Sequence, residues 1–274
     1  MKRNLCQRQR GFTLVEMVMV IVILGIVGAM VAVFMRSPIN AYFDTARRAA
    51  LSDLADTATR RMARDIRKAL PNSVRVPGPQ CLEFIPTRTG GRYRADIDTS
   101  AGPGPQANSV LDFSAPDTRF NMLGDNAALP ADQQIQVNDL IVVYNLGIPG
   151  ADAYAGDNIA TVTAVTNGAE TNIAISSKKF PLASGGQRFH VVPGGEQVVA
   201  YVCTGGNLHR TVRTLAAASC PSSGAVLAGF VGACNFVYNG GNLQRDALAQ
   251  LMMEFTNQGE TVSVYHEVHV NNTP

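Results

Sequence analysis

The sequence lacks tryptophan, has few charged residues and contains only one long apolar run. Of its 274 residues 16% are charged and 46% are hydrophobic, so the chain is too apolar for a disordered tail. A single long apolar run excludes a transporter with many membrane spans. The length is sufficient for one large or two small domains with a core of their own.

Positive charge is also scarce outside the N-terminus. The formal net charge is +2, and Lys2, Arg3, Arg8 and Arg10 lie in the first ten residues without any acid, which leaves 19 basic and 21 acidic residues in the rest. This balance gives no electrostatic footprint for nucleic acid, so no nucleic-acid partner is predicted. Basic residues ahead of an apolar segment favour a cytoplasmic N-terminus, although arginines follow the segment as well.

Residues 12–35 are almost entirely apolar and carry no charge apart from Glu16. A helix that rises ~1.5 Å per residue crosses the hydrocarbon of a membrane with about 20 residues, so this segment is long enough to span it. A secretory signal peptide is the alternative. Its apolar region is shorter, roughly 7–15 residues, and its small cleavage residue follows that region, whereas Gly11 precedes it here.

Glu16 is the unusual residue of the apolar segment. A charged side chain in a membrane helix costs about 2.5–3.5 kcal/mol at the centre and less near an end. Its carboxylate could extend to the lipid headgroups, or it could pair with a positive group. If the chain is cut after Gly11, Phe12 gains a free α-amine at membrane depth, and the Glu16 of a neighbouring chain could pair with it.

Residues 11–16 (GFTLVE) followed by the apolar run resemble the class III leader of type IV pilins and type II secretion pseudopilins. The resemblance implies cleavage after Gly11 by a prepilin peptidase, N-methylation of Phe12, and Glu16 as the carboxylate used in assembly. It also implies four partners: other pilins and minor pilins, the prepilin peptidase/N-methyltransferase, an inner-membrane assembly platform, and the lipid bilayer before assembly. It covers about the first 35 residues and therefore indicates the superfamily rather than the member.

A helical pattern continues over 36–70 in spite of the proline at position 38, which is expected to kink it. Apolar residues recur there at three- and four-residue spacing, which predicts an amphipathic helix. The opposite face carries charge pairs at four-residue spacing: Asp56–Arg60 and Arg61–Asp65. The arginines of that face could bind lipid or nucleic acid, but the interleaved acids favour a solvated face.

Residues 71–274 are rich in glycine, proline, asparagine and threonine, and short β-rich runs alternate there with turn signals. The predicted strands are 81–85, 139–144, 160–165, 188–192, 198–203, 208–212, 235–238, 250–256 and 261–270. Residues 257–259 are expected to form the hairpin turn between the last two. The stretch 87–134 is expected to be a long ordered or mobile excursion.

A short motif occurs twice, as GGNLHR over 205–210 and as GGNLQR over 240–245. Gly-Gly-Asn supplies the positive φ angles of a tight hairpin, so both copies are expected to be hairpin tips. A phosphate-binding glycine loop would need a helix after it, and none is predicted.

The expected fold is α+β, with one long N-terminal helix packed on an antiparallel β-sheet domain. The expected organisation is a leader peptide over 1–11, a transmembrane and assembly helix over 12–35, an amphipathic continuation over 36–70, and a periplasmic β-rich domain over 71–274.

Five cysteines are present, of which Cys6 lies in the leader. The other four fall in a domain that the expected topology places in an oxidising periplasm, where disulfides are the default. Three connectivities are possible. The expected one pairs Cys220 with Cys234 and Cys81 with Cys203, and no cysteine spacing resembles a zinc site.

The sequence contains no G-x-S-x-G, Walker A or G-x-G-x-x-G motif. His266 and His269 have the spacing H-E-x-H rather than the metalloprotease H-E-x-x-H, and strand alternation places them on opposite faces. Calcium could bind at loop aspartates, although EF-hand spacing is missing. These aspartates are Asp96, Asp98, Asp152 and Asp157. No catalytic residue, metal or cofactor is predicted, and the chain is expected not to be an enzyme.

The expected function is filament building from a single-pass subunit of the bacterial inner membrane. Residues 60–76 resemble the corresponding stretch of J-type minor pseudopilins and, more closely, of the MshO-type minor pilins of the mannose-sensitive hemagglutinin (MSHA) pilus. This implies a low-copy pilin that helps to initiate or cap the filament. The alternatives are a minor pseudopilin of type II secretion and a membrane-tethered periplasmic binding protein or adhesin, which would need neither Gly11 nor Glu16.

Overall fold

The computed structural model describes residues 11–97, 109–240 and 247–274. Contacts between Cα atoms divide the chain into two units, Met1–Ala50 and Leu51–Pro274. One long helix, α1 (Leu14–Ile66), precedes antiparallel β-strands, so the expected α+β class is confirmed. The helix continues through Pro38.

The described part of the second unit contains fourteen strands. They are β1 (Arg75–Gly78), β2 (Cys81–Phe84), β3 (Thr89–Arg92), β4 (Asp117–Met122), β5 (Leu140–Val143), β6 (Ile159–Thr166), β7 (Thr171–Lys178), β8 (Arg188–Val192), β9 (Val198–Thr204), β10 (Asn207–Arg213), β11 (Ala225–Ala228), β12 (Val231–Asn239), β13 (Ala247–Asn257) and β14 (Glu260–Val270). They form three sheets rather than the single expected one, with the orders β1-β2-β9-β10-β11, β12-β13-β14 and β3-β8-β5-β6-β7-β4.

The C-terminal part of α1 buries one face in the core of the second unit. The buried side chains recur at three- and four-residue spacing, as an amphipathic helix requires. They are Leu51, Ala55, Ala58, Thr59, Met62, Ala63 and Ile66. They share one core with the inner faces of the five- and three-stranded sheets, around Leu82, Tyr201 and Leu251. Burial of each large side chain stabilises the unit by about 1.5–3 kcal/mol.

The six-stranded sheet is inserted between two neighbouring strands of the five-stranded sheet. The last residue of β2, Phe84, pairs with Val199 of β9, and residues 85–197 between them contain all six strands of that sheet. These residues have a core of their own around Phe120, Phe180 and Phe189. We call residues 85–197 the inserted lobe, and residues 51–84 with 198–274 the platform.

Asparagine side chains connect the inserted lobe to the platform just after α1. The Asn72 Nδ2 atom donates to the backbone oxygens of Asn145, at 2.9 Å, and Asn272, at 3.2 Å. Asn145 Nδ2 in turn donates to the Pro71 oxygen at 2.7 Å. The end of the helix, the inserted lobe and the C-terminal tail are therefore held at one point.

All nine predicted strands are present, 188–192 with the predicted bounds and the other eight with shifted ends. Five further strands were not predicted: β1, β3, β4, β7 and β11. Four of these five lie at sheet edges. They have four to six residues, too few for a clear alternation. Two of them, β3 and β4, fall within 87–134, so the described part of the expected excursion belongs to the inserted lobe.

The predicted hairpin turns are confirmed where the structure describes them. Gln258 and Gly259 have φ angles of +48° and +89° and connect β13 with β14. Gly205 and Gly206, with φ angles of +57° and +76°, connect β9 with β10. The second copy of the motif lies outside the described residues except for Gly240.

Candidate functional site

The N-terminal end of α1 is capped by the side chains of Thr13 and Glu16. The Thr13 backbone N–H and hydroxyl donate to Glu16 Oε2, at 3.1 and 3.3 Å, and the Glu16 N–H donates to Thr13 Oγ1 at 3.3 Å. This reciprocal arrangement is a capping box. Thr13 is not among the residues predicted above, although the T-x-x-E spacing that signals a capping box is visible in the sequence.

The described residues of the first unit have no buried side chain. Phe12 is 82% exposed, and Gly11 and Glu16 are exposed as well. An 18-residue window of α1 has a mean hydropathy of 3.0, so the helix is long enough and apolar enough to cross a membrane. A helix surface that is apolar on every side needs apolar surroundings, either lipid or other apolar helices.

The three predicted processing and assembly residues therefore lie together at an exposed helix end. Cleavage after Gly11, methylation of Phe12 and the assembly role of Glu16 stay predictions. Residues 1–10, including Cys6, lie outside the described residues.

Four cysteines form two disulfides, Cys81–Cys220 and Cys203–Cys234, so the expected pairing is wrong. Cys81 lies opposite Val202 in the β2–β9 pair, and the next residue, Cys203, therefore points to the other face of the sheet. Cys203 faces the core shared with α1, together with Cys234. Cys81, Cys220 and Val202 pack together on the outer face.

The two disulfides have different positions in the platform. Cys203–Cys234 connects β9 of the five-stranded sheet to β12 of the three-stranded sheet, the two sheets that hold α1. Cys81–Cys220 fixes the segment between β10 and β11 to β2, across a sequence separation of 139 residues.

Asp65 attaches the buried part of α1 to the five-stranded sheet through polar contacts. It accepts hydrogen bonds from the Tyr201 hydroxyl at 2.7 Å and from Arg210 Nε at 3.0 Å. Burial and the nearby Asp65 carboxylate raise the pKa of Tyr201, so the phenol stays neutral and donates. The expected partner of Asp65, Arg61, is replaced by these groups of the sheet, whereas the expected Asp56–Arg60 pair is present at 2.7 Å.

Glu83 is a fully buried carboxylate held by two arginines. Arg213 reaches it through Nε and Nη2 at 3.3 and 3.0 Å, and Arg75 Nε lies at 2.5 Å. Burial alone would raise the pKa of Glu83, but the hydrogen bonds from Arg213 and Arg75 outweigh it and lower the pKa below the usual value. The Arg75 guanidinium also stacks 3.6 Å from the ring centroid of Tyr154.

One group of side chains among the described residues has potential metal ligands within 4.8 Å of one another: Cys81, Glu83 and Cys220. The two sulfur atoms are bonded to each other, and the carboxylate is bound by two arginines. These residues therefore do not fit a metal site.

The histidines and loop aspartates have separate positions. His266 is half-buried and His269 exposed on opposite faces of β14, as predicted. His190 lies in β8, where burial and Arg188 lower its pKa to about 4. The Asp157 carboxylate accepts hydrogen bonds from the backbone of its own loop, at Gly150 and Asp152. Asp98 lies outside the described residues.

The N-terminal segment matches a known family model. Residues 6–32 match the family model described as the prokaryotic N-terminal methylation motif. The match supports a type IV pilin-like or pseudopilin subunit. This motif family is structural rather than enzymatic, and the motif implies processing by a prepilin peptidase and assembly with other pilins. No curated protein and no solved structure matches the chain.

Proposed function

We propose that the chain is a minor pilin of a type IV pilus of the MSHA type. It is cut after Gly11, methylated on Phe12, and helps to initiate or cap the filament. The resemblance of residues 60–76 to MSHA-type minor pilins supports the assignment to that pilin type. The match over residues 6–32 supports the assignment to the pilin-like superfamily. A minor pseudopilin of type II secretion is the second candidate, since the same residues also resemble J-type pseudopilins.

The observation that carries the proposal is the unburied apolar surface of residues 14–35 around Glu16. Lipid covers this surface while the subunit is stored in the inner membrane, with the N-terminus in the cytoplasm and the platform and inserted lobe in the periplasm. In the filament, the corresponding helices of neighbouring subunits cover it. Because lipid and helices are about equally apolar, packing and polar contacts decide the transfer.

Glu16 supplies such a polar contact. The capping box uses Oε2, and Oε1 has no hydrogen bond among the described residues. A carboxylate offers about four acceptor positions, so Glu16 can accept a further hydrogen bond without losing the cap. The α-ammonium of a neighbour's Phe12 fits this position, because it brings a positive charge to an otherwise apolar place.

The processing step is tested by intact mass and N-terminal sequencing of the protein purified from its native membrane. A chain that starts at Phe12 and carries one added methyl group is expected. A chain that still starts at Met1 would contradict the proposal and favour a tethered periplasmic binding protein or adhesin.

The assembly role is tested with two variants of Glu16. Glu16→Gln keeps the capping box, since Gln also serves at that position, but removes the charge, whereas Glu16→Ala removes both. Both variants are expected to remain in the membrane and to be lost from filaments. Filament entry by Glu16→Gln at the wild-type level would show that the cap, and not the charge, matters.

Deletion of the chain separates the two filament systems. If the chain is a minor pilin, its deletion should reduce the number of surface pili and leave protein secretion unchanged. If it is a minor pseudopilin, its deletion should reduce protein secretion and leave the surface pili unchanged.

A further inference from the structure

The last strand has an open edge that differs from the other sheet edges. Among the described edge strands, β1, β3 and β11 have four residues, and β4 and β12 have shifts in their pairing register. β14 spans 11 residues, and its pairing with β13 is unbroken. No described strand pairs with its other side. Sheets normally shorten, interrupt or cover their edges, because a long regular edge can pair with another chain.

The hairpin turn determines which backbone groups face this edge. Asn257 and Glu260 flank a two-residue turn and form a hydrogen-bonded pair, so the even-numbered residues of β14 bond to β13. The N–H and C=O groups of residues 261, 263, 265, 267 and 269 therefore point to the open side, in the spacing that an added strand needs.

The inner face of β14 is incompletely covered along its first part. Val262, Val264 and His266 are half-buried, whereas Val268 and Val270 are buried. Val262 and Val264 already pack against the core shared with α1. A further strand at this edge would complete their burial.

A cationic groove of about 400 Å³ lies between α1 and β14, where His266 forms one side. Arg60, Arg64 and Arg67 line the other side and are exposed. Arg60 pairs with Asp56 at 2.7 Å. Within the described ranges, neither Arg64 nor Arg67 has an acidic partner, so the groove offers unneutralised positive charge beside the open edge.

We propose that the edge of β14 receives an extended acidic segment of a neighbouring subunit. The segment adds a fourth strand to the sheet β12-β13-β14 and places carboxylates against Arg64 and Arg67. A second copy of this chain fits poorly, because two-fold pairing of β14 with itself would bring two cationic grooves together. The inference rests on the proposed function for the identity of the neighbour as a filament subunit.

The test uses the full chain in its native membrane and filaments, with p-benzoylphenylalanine in place of Tyr265, whose side chain is 59% exposed. Illumination is expected to give an adduct with another pilin-like subunit. The cross-linked peptide should carry carboxylates at alternating positions, as in an extended strand.

Two variants examine the backbone and the charges separately. Ser263→Pro removes an N–H that faces the open edge and leaves the bonds to β13 intact, and Ser263→Ala is its control. Arg64→Glu combined with Arg67→Glu reverses the groove charge, and Arg119→Glu, an exposed arginine of β4, is its control. Ser263→Pro and the double charge reversal should each reduce the adduct about tenfold, and the two controls should leave it within about twofold.

The disulfide map and the thermal midpoint show whether each variant folds. If Ser263→Pro does not fold, the double charge reversal alone tests the inference. The inference is overturned by an adduct that both test variants retain, by an adduct with a second copy of this chain or with lipid alone, or by a filament-incorporated chain without an adduct. An adduct with an acidic strand, formed by a chain that never enters filaments, supports the docking edge and contradicts the filament function. If the chain forms no adduct and never enters filaments, the docking edge and the filament function are both contradicted.

Discussion

The two parts of α1 have the same secondary structure but different surroundings. Over residues 14–50 no described side chain is buried, and over residues 14–35 apolar residues cover every side of the helix. Over residues 51–66 seven side chains are buried, all on one face. A helix that is apolar on every side does not select one protein surface, whereas an amphipathic helix does.

This difference indicates that one helix serves two separate purposes. The second part contributes to the stability of the unit Leu51–Pro274, whose core includes its buried face. The first part contributes nothing to that core and is available for lipid or for other subunits. Matched substitutions in the two parts should therefore have unequal effects on unfolding.

The largest effect is expected from the disulfide beneath the buried part of the helix. Cys203→Ser with Cys234→Ser should lower the free energy of unfolding by about 3–4 kcal/mol, because the cross-link restricts the unfolded chain. Urea unfolding of the full chain in detergent, followed by tyrosine fluorescence, measures this change. Retention in the membrane should not change, since the first part of α1 is unaltered.

A peptide map under non-reducing conditions gives the matching control. It should contain Cys203 linked to Cys234 and Cys81 linked to Cys220. A peptide that links Cys220 to Cys234 would contradict the placement of these two cysteines on opposite faces of the five-stranded sheet.

The comparison of the two parts of α1 is sharpest with one residue type. Ile66 is fully buried and Ile26 is 52% exposed. Ile66→Ala should cost about 2–4 kcal/mol, because it leaves a cavity between helix and sheets, and Ile26→Ala should have no measurable effect on unfolding. The same urea titration measures both, and equal losses would contradict the division of the helix.

Acid should destabilise the domain through His190. Its folded-state pKa of about 4 lies below the usual 6.5, so between these two pH values His190 is protonated in the unfolded chain but not in the folded one. Stability is therefore complete above pH 6.5 and falls by about 2–3 kcal/mol as the pH decreases to 4. Urea midpoints across this range measure the slope, and His190→Phe should reduce it.

The smallest effect is expected from a single hydroxyl. Tyr201→Phe removes the 2.7 Å hydrogen bond to Asp65 and should lower the free energy of unfolding by about 1–2 kcal/mol. Asp65 keeps its hydrogen bond from Arg210. Tyr42 is 72% exposed in the first part of α1, so Tyr42→Phe is the control and should leave unfolding unchanged. A loss as large in Tyr42→Phe would mean that the first part supports the domain after all.

Local patterns predict much of this molecule. The long apolar helix follows from composition, the buried helix face from apolar spacing, and the N-terminal methylation motif from six residues. The roles of Gly11, Phe12 and Glu16 stay predictions. The capping role of Thr13 could also be predicted locally, because a capping box is recognised from the T-x-x-E spacing alone. The hairpin turn at Gln258 and Gly259 is also local.

Features that depend on distant residues escape such patterns. The disulfide connectivity follows from the pairing of Cys81 with Val202, which requires the register of two strands far apart in sequence. Asp65 has a charged neighbour one helical turn away, yet it binds Tyr201 and Arg210 of the sheet. The short edge strands of the inserted lobe form because longer neighbours hold them, and their own sequences carry little signal.

The inserted lobe has a consequence for the order in which the chain folds. Phe84 and Val199 are neighbours in the platform, but residues 85–197 separate them. Closing an unfolded loop of that length costs about 4 kcal/mol of entropy, whereas a folded lobe brings its two ends side by side. We therefore expect the lobe to fold first, and the surface that receives the buried part of α1 to form only after it.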